Sequence, residues 1–165
     1  MTRGSVGSVV LLIVASLLIL RPWETADEGP ADAEVLVTRV VDGDTVEARI
    51  DGRTEDVRLI GIDTPESVQP GVPVECFGPE ASELTERLLE GRRARLVFGV
   101  EDRDRYGRLL AYAHLGDRFV NAIIVRRGMA RTLTIPPNDR HAALFRRLEL
   151  EAARAGRGLW GACGP

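Results

Sequence analysis

The sequence predicts an α+β domain, a small five-stranded barrel with three helices packed outside it, preceded by an N-terminal hydrophobic helix. Three observations carry this prediction. Apolar and polar side chains alternate through residues 46–50, and again through 57–59, on either side of an Asp51-Gly52 pair of the favoured hairpin type. Three strand-like runs are followed by a helix, two more strands and two more helices, with no internal repeat. A separate apolar run lies at the very start, cut off from the rest by an acidic linker.

Residues 1–22 form the first unit. Residues 4–20 are an uncharged, mainly apolar run of 17 between Arg3 and Arg21-Pro22. That length is the lower limit for spanning a bilayer and long for the core of a signal peptide. No small-x-small cleavage site follows directly, which favours an uncleaved membrane anchor over a cleaved signal. Either reading makes the folded part extracytoplasmic, anchored to the membrane or secreted. Residues 23–34 are a linker with five acids, Pro and Gly, and residues 35–165 are the folded domain.

Within that domain, residues 35–41 read as the first strand. Val46, Ala48 and Ile50 alternate with Thr45, Glu47 and Arg49 in the second, and residues 53–60 return with Val57 and Leu59 on one face and Arg58 on the other. A Pro- and Gly-containing loop runs from 61 to 78. Pro79 then opens a helix at a position where its missing N–H costs nothing; the helix buries Ala81, Leu84, Leu88 and Leu89 and stops at Gly91. Residues 93–98 and 109–115 are two further strands, and 118–127 a short helix closed by Gly128. Asn138 or Asp139 caps the last helix, which buries Leu144 or Phe145 with Leu148 and Ala152 and ends at Gly156 or Gly158. The small barrel this order suggests is an OB-fold.

Composition excludes a broad electrostatic grip on nucleic acid. All 22 basic residues are Arg, but from residue 35 onward 20 Arg face 20 Asp plus Glu. Phosphate binding must therefore come from local placement of Arg, whose planar fork can donate two hydrogen bonds at once. Low aromatic content implies a core of Val, Leu, Ile and Ala.

Three segments carry dense polar chemistry at strand ends: residues 41–45 with Asp42-Gly43-Asp44-Thr45, residues 58–66 with Arg58 and Asp63-Thr64-Pro65-Glu66, and residues 104–108 with Asp104-Arg105-Tyr106-Gly107-Arg108. Calcium takes about six to eight oxygen ligands, including carbonyls and water. Asp44 and Asp63 offer two carboxylates, and Thr64 a carbonyl whose direction is restricted by Pro65. Taken singly, each of these stretches also reads as ordinary turn chemistry.

The run Asp-Gly-Asp-Thr, then Arg-x-x-x-x-Asp-Thr-Pro-Glu, then Gly-Pro-Glu-Ala, then Tyr-Gly-Arg-x-x-Ala-Tyr resembles the staphylococcal nuclease family in order and approximate spacing, from about residue 38 to 160. The resemblance implies an OB-fold barrel with three helices. It also implies a calcium-dependent hydrolase of DNA and RNA that leaves 3′-phosphates and reads phosphate and strand shape, with single strands the preferred partner and the monomer the working form. Asp44 and Asp63 then match the calcium carboxylates, Thr64 the calcium-binding carbonyl, Glu66 the general base, and Arg58 and Arg108 the phosphate-clamping arginines. The chain departs from the pattern where the family carries two tyrosines before the last helix: Leu133 and Ile135 stand there. Base stacking is the property this puts in question.

Other residues are weighed on their own surroundings. Tyr106 reads as turn or core packing, or as a wall of the phosphate pocket, with Arg105 beside it as a substrate contact. His114 and His141 have no spacing that suggests zinc and read as structural, and Trp160 as a packing anchor. Cys76 and Cys163 are the two cysteines of the chain; in an exported protein they are expected to bond. Two free thiols are the alternative. Besides a nuclease, the same fold serves as a non-catalytic nucleic-acid or protein binding module, or as an interaction domain with structural calcium. Retention of the acidic and Arg positions favours the enzyme.

Overall fold

A computed structural model of the chain describes residues 32–68 and 71–163. The N-terminal apolar run and the linker up to residue 31, with the anchor or signal expected there, lie outside the described residues. Among the described residues no helix is long and apolar enough to cross a membrane.

The first three strands form a meander: β1 (Ala33–Asp42), β2 (Thr45–Ile50) and β3 (Arg53–Leu59). Asp51 and Gly52 both adopt left-handed φ, 49° and 80°, as the tight hairpin turn requires, so Val46 faces Val57 and Ile50 faces Arg53. A two-residue strand, β4 (Ile62–Asp63), follows, and then helix α1 (Gly78–Leu89). The second hairpin is β5 (Arg93–Arg103) and β6 (Leu109–Leu115). β5 pairs antiparallel with β1, and β6 runs parallel to β3, with Val57 opposite Leu109 and Leu59 opposite Ala111. That last pairing closes a five-stranded barrel in the order β1-β2-β3-β6-β5. Closure leaves no edge among the barrel strands to template aggregation.

The remaining elements are β7 (Arg118–Phe119), α2 (Val120–Arg126), β8 (Arg131–Thr132), α3 (Ala142–Arg154) and a single turn, α4 (Leu159–Ala162). The barrel interior is filled by Val37, Val46, Ala48, Val57, Leu59, Leu96 and Ala111, all fully buried. α1 presents Ala81, Leu84, Leu88 and Leu89 to it, the four residues its sequence periodicity marks. Asn121 on α2 is fully buried and bridges two strand ends, accepting from the Ala113 N–H at 2.9 Å and donating to the Ile60 carbonyl at 2.9 Å. It thereby fixes the start of the segment that leads into β4.

The structure corrects four expectations. β5 runs on to Arg103, because the Arg103 side chain ties that end to Glu55 on β3 and to the Gly107 carbonyl. The second helix begins at Val120, since Arg118 and Phe119 pair with the outer edge of β6. Neither Asn138 nor Asp139 is the last helix's N-cap; that position is His141. Asn138 instead accepts from the Glu101 N–H at 3.1 Å and donates to the Glu101 carbonyl at 2.8 Å, standing in for a strand partner of β5. Tyr106 is 69% exposed and so takes no part in the core. Of the two alternatives on α3, Phe145 is the buried residue and Leu144 packs only at its margin.

His114 and His141 belong to an aromatic cluster. His114 stacks on Phe119 with centroids 4.6 Å apart, and His141 meets Tyr112 edge-on at 4.7 Å. Burial lowers the pKa of both, helped at His114 by Arg95 and at His141 by Arg140. Trp160 packs beneath the Arg131 guanidinium, 4.7 Å from its ring centroid. The expected disulfide is formed: Cys76 and Cys163, 87 residues apart in sequence, are bonded with Cα atoms 5.9 Å apart.

Candidate active site

One end of the barrel gathers the three polar segments. The β1–β2 turn carries Asp42 and Asp44, and the Asp44 N–H donates to Asp42 Oδ1 at 3.0 Å. Gly43 lets this turn press against the next segment: a Cβ there would lie 2.8 Å from the Thr64 side chain. Thr85 on α1 donates to the Gly43 carbonyl at 2.7 Å and pins the turn from behind.

Asp44 is buried, with only 5% of its surface exposed. Its Oδ2 accepts from the Thr64 amide at 2.8 Å and the Thr64 hydroxyl at 3.0 Å; its Oδ1 accepts from the Thr45 hydroxyl at 3.2 Å. Arg58 at the end of β3 approaches the same Oδ1, with Nε at 3.1 Å. The guanidinium also donates to the carbonyls of Leu59 and Ile62 at 2.8 and 2.7 Å and to Asp63 Oδ1 at 3.1 Å. Arg58 thus bridges Asp44 and Asp63, which are brought to one place from separate strands. The Asp42 carboxyl is pushed above its ordinary pKa by burial and by the neighbouring Asp44 charge.

Arg108 enters from the β5–β6 turn. It is held by Asp104, with Nε at 2.8 Å and Nη2 at 2.7 Å from Oδ2. Burial would raise the Asp104 carboxyl, but hydrogen bonds from the Arg108 side chain and from the amides of Tyr106 and Arg108 outweigh it and hold the carboxyl below its ordinary value. Glu66 follows Pro65 at the cavity rim. Its Oε1 accepts from the amides of Ser67 and Val68, both at 2.8 Å, which orients the carboxylate.

Asp42, Asp44, Arg58, Asp63, Thr64, Pro65, Glu66 and Arg108 line a single cavity of about 210 Å³. All six residues that the sequence marks for metal, base and phosphate roles are therefore together. Among the described residues no group of three or more His, Cys, Asp and Glu closes on itself as a ready metal cage; the acids here face one another across Arg58. Two residues of consequence were missed by sequence reasoning. Asp42 lines the cavity, and its place in the same short Asp-Gly-Asp turn as Asp44 was the available signal. Asp104 orients Arg108, and its i, i+4 spacing from that arginine could have found it.

Residues 56–162 match the family model described as staphylococcal nuclease homologue. The chain belongs to the staphylococcal nuclease family. It is 37% identical to a thermonuclease of Staphylococcus intermedius, over 97% of this chain and 99% of that protein. It is 33% identical to a thermonuclease of Staphylococcus hyicus, over 92% and 95%. The endonuclease YncB of Bacillus subtilis is 33% identical over 79% of this chain and 63% of its own length.

In this staphylococcal nuclease homologue, Arg105 and Tyr106 lie outside the small cavity. They line a larger neighbouring groove of about 540 Å³ that shares Arg58 and Arg108 with it. The Tyr106 ring carries both arginines, with Arg105 at 4.8 Å and Arg108 at 5.4 Å from its centroid. Leu133 and Ile135, 38% and 58% exposed, line the same groove.

Proposed function

We propose that this chain is an extracytoplasmic, calcium-dependent nuclease that hydrolyses phosphodiester bonds of DNA and RNA and leaves 3′-phosphates. At the coarser level it is a hydrolase of the nuclease class. The observation that carries the reading is the convergence of two arginines, four acids and a carbonyl-bearing Thr-Pro turn on one cavity of about 210 Å³.

The donor set fits a hard cation. Its candidate ligands are all oxygen, from Asp44, Asp63 and the Thr64 carbonyl, with no thiolate or imidazole lining the cavity. A calcium ion held there would polarise a phosphodiester oxygen and offset the charge of the transition state.

The chain's own residues supply the rest. Arg58 and Arg108 donate to the non-bridging phosphate oxygens as negative charge develops, and the Asp104 pair holds Arg108 in place beforehand. Glu66 accepts a proton from the attacking water, whose oxygen bonds to phosphorus as the P–O5′ bond breaks. None of these groups reads a base edge, in keeping with action on both DNA and RNA. Extracytoplasmic placement draws support from the apolar N-terminal run and from the Cys76–Cys163 bond, which suits an oxidising compartment.

The test is digestion of circular single-stranded DNA and of RNA with calcium and with a chelator, alongside Asp44→Ala. Cleavage in calcium, loss of it in chelator, and an inactive but folded Asp44→Ala protein are expected. Full activity in chelator refutes the calcium assignment. Strand binding without cleavage in calcium favours the non-catalytic binding module.

A further inference from the structure

Glu66 sits in the loop between β4 and α1. Its backbone is clasped by Glu75, across the loop: the Glu66 N–H donates to Glu75 Oε2 at 3.1 Å, and the Glu75 N–H donates to the Glu66 carbonyl at 2.8 Å. The contact is close enough that Gly78 admits no side chain, since a Cβ there would lie 2.4 Å from the Glu66 carbonyl oxygen. Glu75 is in turn followed by Cys76, which is bonded to Cys163. Cys163 sits at the end of α4, whose Leu159 is buried and donates its N–H to the Gly128 carbonyl at 2.9 Å. Phe77, next in line, holds a left-handed φ of 72°, which a bulky residue keeps only where its surroundings over-determine it.

On the other side of this clasp lies open space. A cavity of about 320 Å³ separates Asp63, Thr64 and Pro65 from the disulfide, with Arg131 and Leu159 completing its wall. Glu75 and the two bonded cysteines form part of its lining. Without the covalent link, the clasp has room to relax away from the site.

We infer that the Cys76–Cys163 bond, acting through Glu75, is a positioning device for Glu66: it fixes the base by covalent attachment to the C-terminal turn. The inference rests on the reading of Glu66 as general base. It makes Glu75 and the two cysteines positioning residues, which act through Glu66 without touching substrate, and it ties turnover to the thiol–disulfide state of the protein.

The experiment compares oxidised protein with protein reduced by a phosphine, in the wild type and in Glu66→Gln, on a fluorescent oligonucleotide with calcium. Reduction adds two electrons and two protons to the disulfide, and the phosphine becomes its oxide. In the wild type, kcat is expected to fall about tenfold with KM changed less than about twofold, because misplacement on the order of 1 Å can cost about 10²-fold. Reoxidation restores it, and Glu75→Ala, which removes the side-chain acceptor, shows a loss of the same kind. In Glu66→Gln, reduction leaves the residual rate unchanged, since there is no base left to misplace. An unchanged kcat in folded, reduced wild type overturns the positioning role while a slow Glu66→Gln leaves the base assignment standing. An equal loss on reduction in Glu66→Gln overturns it too, as does a reduced protein that is unfolded at the assay temperature. A Glu66→Gln enzyme as fast as wild type overturns the base assignment and the positioning role together.

Discussion

Arg58→Ala removes the side chain that joins the two halves of the site. Arg58 and Asp44 are largely withdrawn from water, their side chains only 13% and 7% exposed. Truncation leaves the Asp44 carboxylate without its cation, and the Leu59 and Ile62 carbonyls without their donor. Removing one partner of a buried pair costs about 3–5 kcal/mol. Asp44 keeps its three hydrogen bonds from Thr45 and Thr64, which holds the cost toward the lower end. Asp63 adds little, because its side chain is 56% exposed and its pair with Arg58 is screened. With a urea m-value of about 2 kcal/mol/M, the midpoint falls by roughly 1.5–2 M. The assay is urea denaturation followed by circular dichroism, in chelator so that no cation contributes. Arg58→Lys keeps the charge but not the fork and recovers only part of the loss. A cost below about 1 kcal/mol, or the same cost in an Asp44→Asn background, refutes the bridge as an energetic link.

Arg108→Ala is expected to lower kcat by about 10²–10³-fold with the melting temperature little changed; single-turnover cleavage within about threefold of wild type would show that Arg108 does not meet the developing charge. Cys76→Ser with Cys163→Ser opens a loop of 87 residues, and chain entropy puts the loss of stability at up to roughly 4–5 kcal/mol; equal urea midpoints for the two proteins would count against it. His114 and His141 have pKa values lowered by burial, so the folded state resists their protonation: stability is full above the unfolded histidine pKa of about 6.5 and is lost as pH falls through the folded values. Replacing both with Phe should flatten the decline in urea midpoint between about pH 7.5 and about pH 5; a decline of unchanged size would rule the pair out.

What could be read before folding was what depends on neighbours in the chain. The alternation of Val46, Ala48 and Ile50 determined the face of β2, because successive strand residues must point to opposite sides. Asp51-Gly52 determined the turn, since both positions need left-handed φ. Pro79 and the spacing of Ala81, Leu84 and Leu88 determined the first helix and its buried side. The six site residues were legible because their motifs sit together in order, each at a strand end.

The readings that failed or fell short all turn on partners distant in sequence. Asn138 has the chemistry of a helix cap, but it is itself buried, and the N–H and carbonyl of Glu101, 37 residues away, pair with its side-chain amide. Arg118 and Phe119 have helical neighbours, but β6 leaves an edge whose hydrogen bonds outcompete one more helical turn. Tyr106 reads as turn or core packing or as a pocket wall; it sits exposed in the turn, with two guanidinium groups against its ring, and lines the groove beside Arg58 and Arg108.

The sequence by itself determined the kinds of element and the chemistry present, because these follow from local stereochemistry and composition; it left the two cysteines either bonded or free. Only the tertiary structure decided that Arg58 bridges Asp44 to Asp63, that Asp104 holds Arg108, and that Glu75 clasps Glu66 beside the disulfide. Those are contacts between side chains on separate elements, and their distances exist only once barrel closure and helix docking have set the relative positions of the backbones.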